Sequence, residues 1–384
     1  MNIVYVAIEK WGANVGVSQK ILAQLSFLNK MGHEAKGIFA SYHYDLQKPY
    51  ELTCEGLIWN LAVRTKKGLH AKSLNRRRVF QALTEILETE PYHVIYMRYP
   101  LYLDLALNRF LKRHKGRVVF ENQSMEPAEM WTRKQYLKYL LEKLLAKSVY
   151  KKLKGCVAVT PEIAAYQRKK ASRPDMPVAA ICNGIHVNRL PLKQEVPISG
   201  KQIELVMVAS FFPHHGLDRL LKGLIQYKGS HRVRLHLAGD TTMFGDYSNW
   251  KRSLGDRVVD HGRLEGSELD RLFDRVHFAI GSLGIHRING LRQATPLKTR
   301  EYIARGIPFA IGYEDADLPR NNEIEDLYME CPQTENPIDI DHLVSGILGI
   351  YKEKEIQGRL RWFAETKLDW SHKVHELSLF LKQL

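Results

Sequence analysis

Cysteine is scarce in this sequence. Cys54, Cys156, Cys182 and Cys331 stand far apart with no CxxC pair, which excludes a disulfide framework and a cysteine-held zinc centre. Cys156 and Cys182 lie in apolar, strand-like runs and read as buried, reduced thiols of a cytoplasmic protein. Long apolar runs are missing too: nowhere do about 18 uncharged apolar residues follow one another, so no membrane-spanning helix is expected. The 16 histidines form no HExxH pair and no cluster with cysteine. Acidic neighbours such as Glu314 with Asp315 or Asp317 read as loop charges, so no metal is expected. There is no GxSxG elbow for a serine hydrolase, and Gly12 and Gly16 do not complete the GxGxxG turn of a nicotinamide site. Acidic residues are the minority charge, 42 against 57 Lys and Arg, for a net +15. That balance favours an anionic partner: a nucleic acid, an anionic membrane surface or a phosphorylated metabolite.

What is present is an ordinary globular composition over 384 residues, 45% hydrophobic and 26% charged, enough for two domains with cores of their own. NIVYVAI (residues 2–8) meets Glu9, with no basic stretch before it and no small-residue cleavage site after it, and reads as a first strand rather than a signal peptide. A turn around Gly12 and Gly16 leads to a helix over 17–32 and a strand over 35–40, followed by a basic stretch, 64–78. Then come a helix over 78–89, strand 93–97, helix 101–112, strand 117–120, strand 156–159, a helix from Pro161 and strand 178–181. Strand, helix, strand is the signature of a parallel sheet. Residues 188–201 carry two prolines and a glycine with little periodicity and are read as a linker. A second alternating series follows, with strands at 204–209, 234–238, 257–260, 277–281 and 309–311. Helices are expected at 216–228, 267–274, 298–305 and 339–354, and a last one at 370–384.

In the segment 132–154, Tyr136, Leu137, Leu140, Leu141, Leu144, Leu145 and Val149 recur at helical spacing, while Lys134, Lys138, Lys143, Lys147, Lys151, Lys152 and Lys154 supply charge. This is a basic amphipathic helix, open to two roles: a core helix with a solvated basic face, or attachment to a membrane surface. Glu121 and Asn122 break the apolar pattern at a strand's carboxyl end, where open parallel sheets bind ligands. They are candidate catalytic groups, although Glu121 could equally cap the following turn. From Gly281 to Pro308 a strand end, a loop containing Gly284 and Gly290, and a helix opening near Pro296 are strung together. Free amides at that helix start, with Lys298 close by, suit a diphosphate. Glu301, one turn on, offers a sugar hydroxyl two acceptor oxygens.

This stretch resembles the donor-binding signature of retaining glycosyltransferases of family 4. GVSQKILAQLSFLNKMGHEA (16–35), VTPEIAAYQ (159–167), CNGI (182–185), VMVASFFPHHGLDRLLKGL (206–224), LHLAGD (235–240) and VVDHGRLEGSELDRLFDRVHFAIGS (258–282) agree with it in order and spacing. The likeness is strongest to enzymes that assemble bacterial surface polysaccharides, capsule and exopolysaccharide among them. It implies the GT-B fold, an α/β architecture of two facing Rossmann-like domains with parallel sheets and an interdomain cleft. An acceptor domain is expected over 1–187 and a nucleotide-sugar domain over 202–365, with 366–384 crossing back to the first.

By the same resemblance Glu301 matches the glutamate that binds the ribose. Gln293, eight positions earlier, stands where the family has a second glutamate nearer the sugar, so a hydrogen bond is kept and a charge lost. Ser210 and His215 fall at the positions of an Arg and a Lys that bind the diphosphate, and a part-time imidazole charge replaces a permanent one. Lys298 and Arg287 are the residues expected to compensate. Gly284, Ile285 and His286 match a loop whose backbone approaches the sugar, Arg263 lies in the segment beside the base, and Leu297 opens the helix after it. Gly16, in the glycine turn of the first domain, is open between diphosphate or acceptor contact and an ordinary turn. His286, Arg287, Asp218 and Arg219 could also be structural or surface residues. The donor is expected to be a nucleotide-diphosphate sugar, UDP-sugar first, with no cofactor and no metal. The expected acceptor is a glycan or lipid-linked glycan, and the basic segments 64–78 and 132–154 could meet an anionic inner membrane face. A non-enzymatic nucleic-acid binder and a sugar-nucleotide epimerase on the same fold are the alternatives. No nucleic-acid module is visible, and no nucleic acid is expected.

Overall fold

The computed structural model describes residues 1–12, 15–43, 50–53, 57–64, 71–89, 92–100, 102–132, 134–242, 244–245, 247–288 and 290–384. Within these the chain forms two compact units, Met1–Cys182 together with Trp370–Leu384, and Asn183–Asp369.

The first unit runs β1 (Asn2–Ala7), α1 (Val15–Lys30), β2 (Glu34–His43), β3 (Tyr50–Thr53), β4 (Ile58–Arg64), α2 (Ala71–Thr89), β5 (Val94–Arg98), α3 (Leu105–Arg113), β6 (Val118–Asn122), α4 (Glu126–Thr132), α5 (Tyr136–Tyr150), β7 (Gly155–Ala158), α6 (Pro161–Ala171) and β8 (Val178–Ala180). The second holds β9 (Gln202–Val208), α7 (Leu217–Gln226), β10 (Arg232–Ala238), α8 (Tyr247–Leu254), β11 (Val258–Asp260), α9 (Ser267–Phe273), β12 (Phe278–Ile280), α10 (Leu297–Ala304), β13 (Phe309–Ile311), β14 (Tyr328–Glu330), α11 (Ile340–Ile350) and α12 (Ile356–Phe363). The helix α13 (Trp370–Gln383) returns to the first unit.

Among the described residues the first sheet has eight strands in the order β3-β4-β2-β1-β5-β6-β7-β8, all parallel except β3 against β4. The second has six parallel strands in the order β11-β10-β9-β12-β13-β14. Each order reverses beside the unit's first strand, at β1/β5 and at β9/β12, and at such a switch point the carboxyl ends leave a crevice. The apolar runs explain the sheets. Val4, Val6, Ile95, Met97, Val118 and Phe120 are wholly or almost wholly buried in the first core, as strands covered on both faces require. Polar caps set the helices. Thr160 accepts the Ile163 amide at 3.2 Å with Pro161 in the first turn, and Asp104 accepts that of Leu107 at 2.8 Å.

Three expectations are corrected. The helix expected over 132–154 is shorter, α5 at Tyr136–Tyr150, and Lys134, with a positive φ of 56°, separates it from a preceding helix, α4, that was not expected. The units divide at Cys182/Asn183, and residues 188–201 are tied into the second unit: Lys193 donates its amide to Arg305 at 3.0 Å and its ammonium to the Val276 carbonyl at 3.0 Å. In the basic stretch 64–78, residues 65–70 lie outside the described residues. Arg76, within α2, is buried on Asp104 and on the carbonyls of Pro100 (2.8 Å) and Tyr102 (2.7 Å), so it offers no charge to a surface. Cys156, Cys182 and Cys331 are free thiols, burial pushing Cys156 up to about 12, and Cys54 lies outside the described residues. No described helix is long and apolar enough to cross a membrane.

Candidate functional site

In the second unit two loops leave the carboxyl ends of the neighbouring strands β9 and β12 and are joined backbone to backbone. The amide of Leu283 donates to the carbonyl of His215 at 2.9 Å, and that of Gly284 to His214 at 3.2 Å. The joint needs Gly216, which has φ of +69°. A Cβ there would sit 2.8 Å from Leu283 and 2.9 Å from the nitrogen of Gly284, too close for any side chain. Gly239, at the end of β10, is similarly required, since a Cβ would overlap the carbonyl of Ala209 at the end of β9.

The candidate residues fall on this surface as follows. Ser210 is exposed just after β9, ahead of the buried Phe211. His215 is half-buried, its Nδ1 has no hydrogen-bond partner, and burial with His214 beside it pulls its pKa down to about 3. It is therefore neutral at physiological pH, which replaces the expectation of a partial charge. Gly284 and Ile285 are buried in the loop after β12. His286 Nε2 meets Glu335 at 2.8 Å. Arg287 grips both oxygens of Asp218 (2.7 and 2.9 Å), Glu335 (2.6 Å) and the Pro213 carbonyl (2.8 Å). It is thus a strap between the two loops rather than a spare cation for a diphosphate. Arg219 has the same office from inside, buried and bonded to the carbonyls of Leu283, Asn336 (2.8 Å) and Pro332 (2.9 Å).

Helix α10 lies against the same strand ends through Tyr302, whose hydroxyl takes the Val208 amide at 3.2 Å and donates to the Ile280 carbonyl at 3.4 Å. Beside Tyr302, Glu301 bonds Lys298 at 3.0 Å and Arg305 at 3.0 Å. Burial acts to raise its pKa, but those two cations prevail and lower it, so it is an ionised acceptor. Leu297 and Lys298 form the first turn of α10, partly exposed. Gln293 pairs across a short bridge with Glu314, after β13. Arg263 stands exposed at the end of β11 and pairs with Glu265 at 3.4 Å, away from the switch point by two strands.

Sequence reading missed what anchors this helix. Arg300 is fully buried, held by both oxygens of Asp315 and by Asp317 (2.8 Å), and it donates to the carbonyl of Asn183 at 3.1 Å. Asn183 in turn donates to the Thr295 carbonyl at 2.9 Å. Asn183 is therefore fastened to the start of α10, and removing Arg300 would leave the buried Asp315 carboxylate without its counter-charge.

In the first unit Glu121 is 2% exposed and takes hydrogen bonds from Tyr5 (2.6 Å), Tyr96 (3.0 Å) and Gln24 (3.1 Å), with Lys20 at 3.1 Å. Burial would raise its pKa, yet Lys20, Arg98 and these donors bring it down to about 2. Such a carboxylate cannot take a proton from a hydroxyl, and the reading of Glu121 as a catalytic base gives way to that of a structural hub. Asn122 is buried and donates to Glu126 at 2.7 Å. Among the charges that reach the surface after β1 and β5 are Glu9 and Arg98, 3.5 Å apart and each about a quarter exposed. Their signal was visible: each is the first charge to follow an apolar run, Glu9 after Ile3–Ile8 and Arg98 after Val94–Met97. Gly16 lies exposed in the first turn of α1. No group of three or more metal-ligating side chains is found among the described residues.

Two doubly wound units with parallel sheets define the GT-B class of α/β folds. Residues 16–189 match the model of Glycosyltransferase Family 4, so the resemblance read in the sequence holds over that segment. Solved structures repeat the fold over nearly their whole length at low identity. The sucrose-phosphate synthase of Thermosynechococcus elongatus superimposes with a TM-score of 0.72 at 13% identity, covering 100% of this chain and 98% of that one. HepE of Anabaena, in complex with UDP and glucose, gives 0.65 at 12%, covering 100% of both. WaaG, a glycosyltransferase involved in lipopolysaccharide biosynthesis, gives 0.63 at 14%, covering 98% of this chain and 99% of that one. No curated protein sequence matches the chain.

Proposed function

We propose that the protein transfers a sugar from a nucleotide-diphosphate sugar to a hydroxyl of a glycan or lipid-linked glycan, with retention at the anomeric carbon, in bacterial surface-polysaccharide synthesis. The observation that carries the reading is the β9/β12 switch point, where the joined loops and the ionised Glu301 on α10 lie against the same strand ends. Glu301 would accept hydroxyls of the ribose, the amides of the Gly284 loop would approach the sugar, and His215 would give the diphosphate a neutral donor. HepE, bound to UDP, favours a UDP-sugar donor, and WaaG favours a surface-glycan acceptor.

In a retaining transfer the departing diphosphate receives the acceptor proton on the same face, so no strong protein base is called for. The burial of Glu121 suits that scheme, and Glu9 and Arg98 are the charged pair left to orient an acceptor. The enzyme's work is then positioning and leaving-group stabilisation, without a metal or cofactor. A lipid-linked acceptor would place it on the cytoplasmic face of the membrane.

The test is a thermal-shift panel of UDP, GDP, ADP, CMP and their sugar conjugates against wild type and Glu301→Ala. One nucleoside diphosphate should stabilise the wild type and not the variant. No stabilisation by any of them would overturn the reading.

A further inference from the structure

Helix α5 is amphipathic in the opposite sense to a core helix. Its single acidic residue points inward: Glu142 is fully buried, bonded to the Tyr99 hydroxyl, the Leu103 amide at 2.9 Å and Lys170 at 2.5 Å. Ala146, Val149 and Tyr150 complete the buried face. The leucines that helical spacing would send to a core point outward instead, Leu137 at 72% exposure, Leu140 at 52% and Leu144 at 68%. Spaced by three and four, they form one stripe. Trp131, in α4, and Tyr136 extend it as exposed rings 5.2 Å apart, edge to face. The turn at Lys134 brings them together, since its positive φ closes α4 and lets α5 begin in a new direction.

Cations flank this stripe. Lys134, Lys143, Lys147 and Lys151 are all exposed, Lys143 lying over the ring of Tyr139 at 4.5 Å. Between residues 134 and 151 no acidic side chain reaches solvent, because Glu142 is the one acid there and it is buried. Exposed leucines with Trp and Tyr beside them, flanked along α5 by exposed lysines, complement a surface that is apolar beneath and anionic above.

We propose that the α4–α5 segment seats the first unit on an anionic lipid bilayer, with Trp131, Tyr136, Leu137, Leu140 and Leu144 sinking below the headgroups and the four lysines meeting them. This differs from electrostatic attachment by a basic face, because the leucines insert. The idea rests on the lipid-linked acceptor for its purpose only, and its test involves no donor.

The full chain is floated with vesicles of phosphatidylcholine alone and with vesicles that also contain phosphatidylglycerol. Wild type should bind the anionic vesicles, with a blue shift of tryptophan emission that Trp131→Phe removes. Leu137→Ser/Leu140→Ser/Leu144→Ser should lower the partition coefficient by about tenfold or more, and Lys143→Gln/Lys147→Gln/Lys151→Gln should lower it and flatten its salt dependence. Equal flotation with both vesicle types, or a leucine variant that floats like wild type, would overturn the proposal. So would a wild-type dimer that the leucine variant converts to monomer without any gain in vesicle binding by wild type, since a second copy would then cover the stripe. The UDP thermal shift of the same variants reports the donor site separately: its loss in every protein, with flotation intact, would sink the proposed function and leave this one standing.

Discussion

The carbonyl of His215 accepts the amide of Leu283 at 2.9 Å, and one residue on, Gly216 leaves no room for a side chain against Leu283 and Gly284. Two loops from different strands thus share one surface. Gly216→Ala forces a Cβ into that joint and strains a φ of +69°. It should cost about 2 kcal/mol or more of stability in the second unit and weaken UDP binding. Differential scanning calorimetry and titration calorimetry check the two effects.

His215 is neutral in the free protein, its pKa held near about 3 by burial and by His214. A diphosphate beside it would raise that pKa, so binding would take up protons and tighten as pH falls through the bound-state value. UDP affinity measured between pH 8 and pH 5 should rise more steeply in wild type than in His215→Gln, the difference removing the phosphate's own titration. Without ligand the sign is opposite: a depressed imidazole loses stability as pH drops below about 6.5 toward 3, because the unfolded chain binds the proton first.

Glu121 and Lys20 are both nearly inaccessible and face each other at 3.1 Å. Glu121→Gln leaves the ammonium without its counter-charge and should cost about 3 to 5 kcal/mol. Adding Lys20→Met should recover most of the loss, a coupling that a catalytic base would not show. The carboxyl's contribution to stability is present above pH 4.5 and is lost as pH falls toward about 2. Urea melts at pH 7 and in acid measure both.

Arg287 reaches Asp218 and Glu335 from one guanidinium. Arg287→Lys keeps the charge and loses the fork. UDP affinity should fall several-fold with little change in melting temperature, because the strap is on the surface and Arg219 still holds the loop from within. An unchanged affinity would show that the strap does not shape the donor loop.

The fold was legible because buried parallel strands announce themselves as apolar runs, as in Val118–Phe120 or Phe309–Ile311. β14 was not, being three residues, Tyr-Met-Glu, before a Cys-Pro. The later start of α5, at Tyr136 and not near 132, was hidden because it rests on a positive φ at a lysine, which no residue type signals. Of the site, Glu301 and Lys298 could be placed from the helix start, whereas the burial of Glu121 could not: its partners Tyr5, Lys20, Gln24 and Tyr96 come from three separate elements. Periodicity likewise left Leu137, Leu140 and Leu144 open between a core and a membrane surface, because it reports that a helix has an apolar side without saying which side the fold covers.

Helix α13 belongs to the first unit, where Ser378 lies 2.7 Å from His33 and Phe380 and Leu384 approach Gly155. During synthesis, residues 1–182 therefore wait for the ribosome to pass residue 380 before their last core surface is covered, while the second unit can close first. A ribosome stalled short of α13 should release a chain whose damage shows in its first half, and a protease that nicks the chain near residue 369 would test whether the freed helix stays docked.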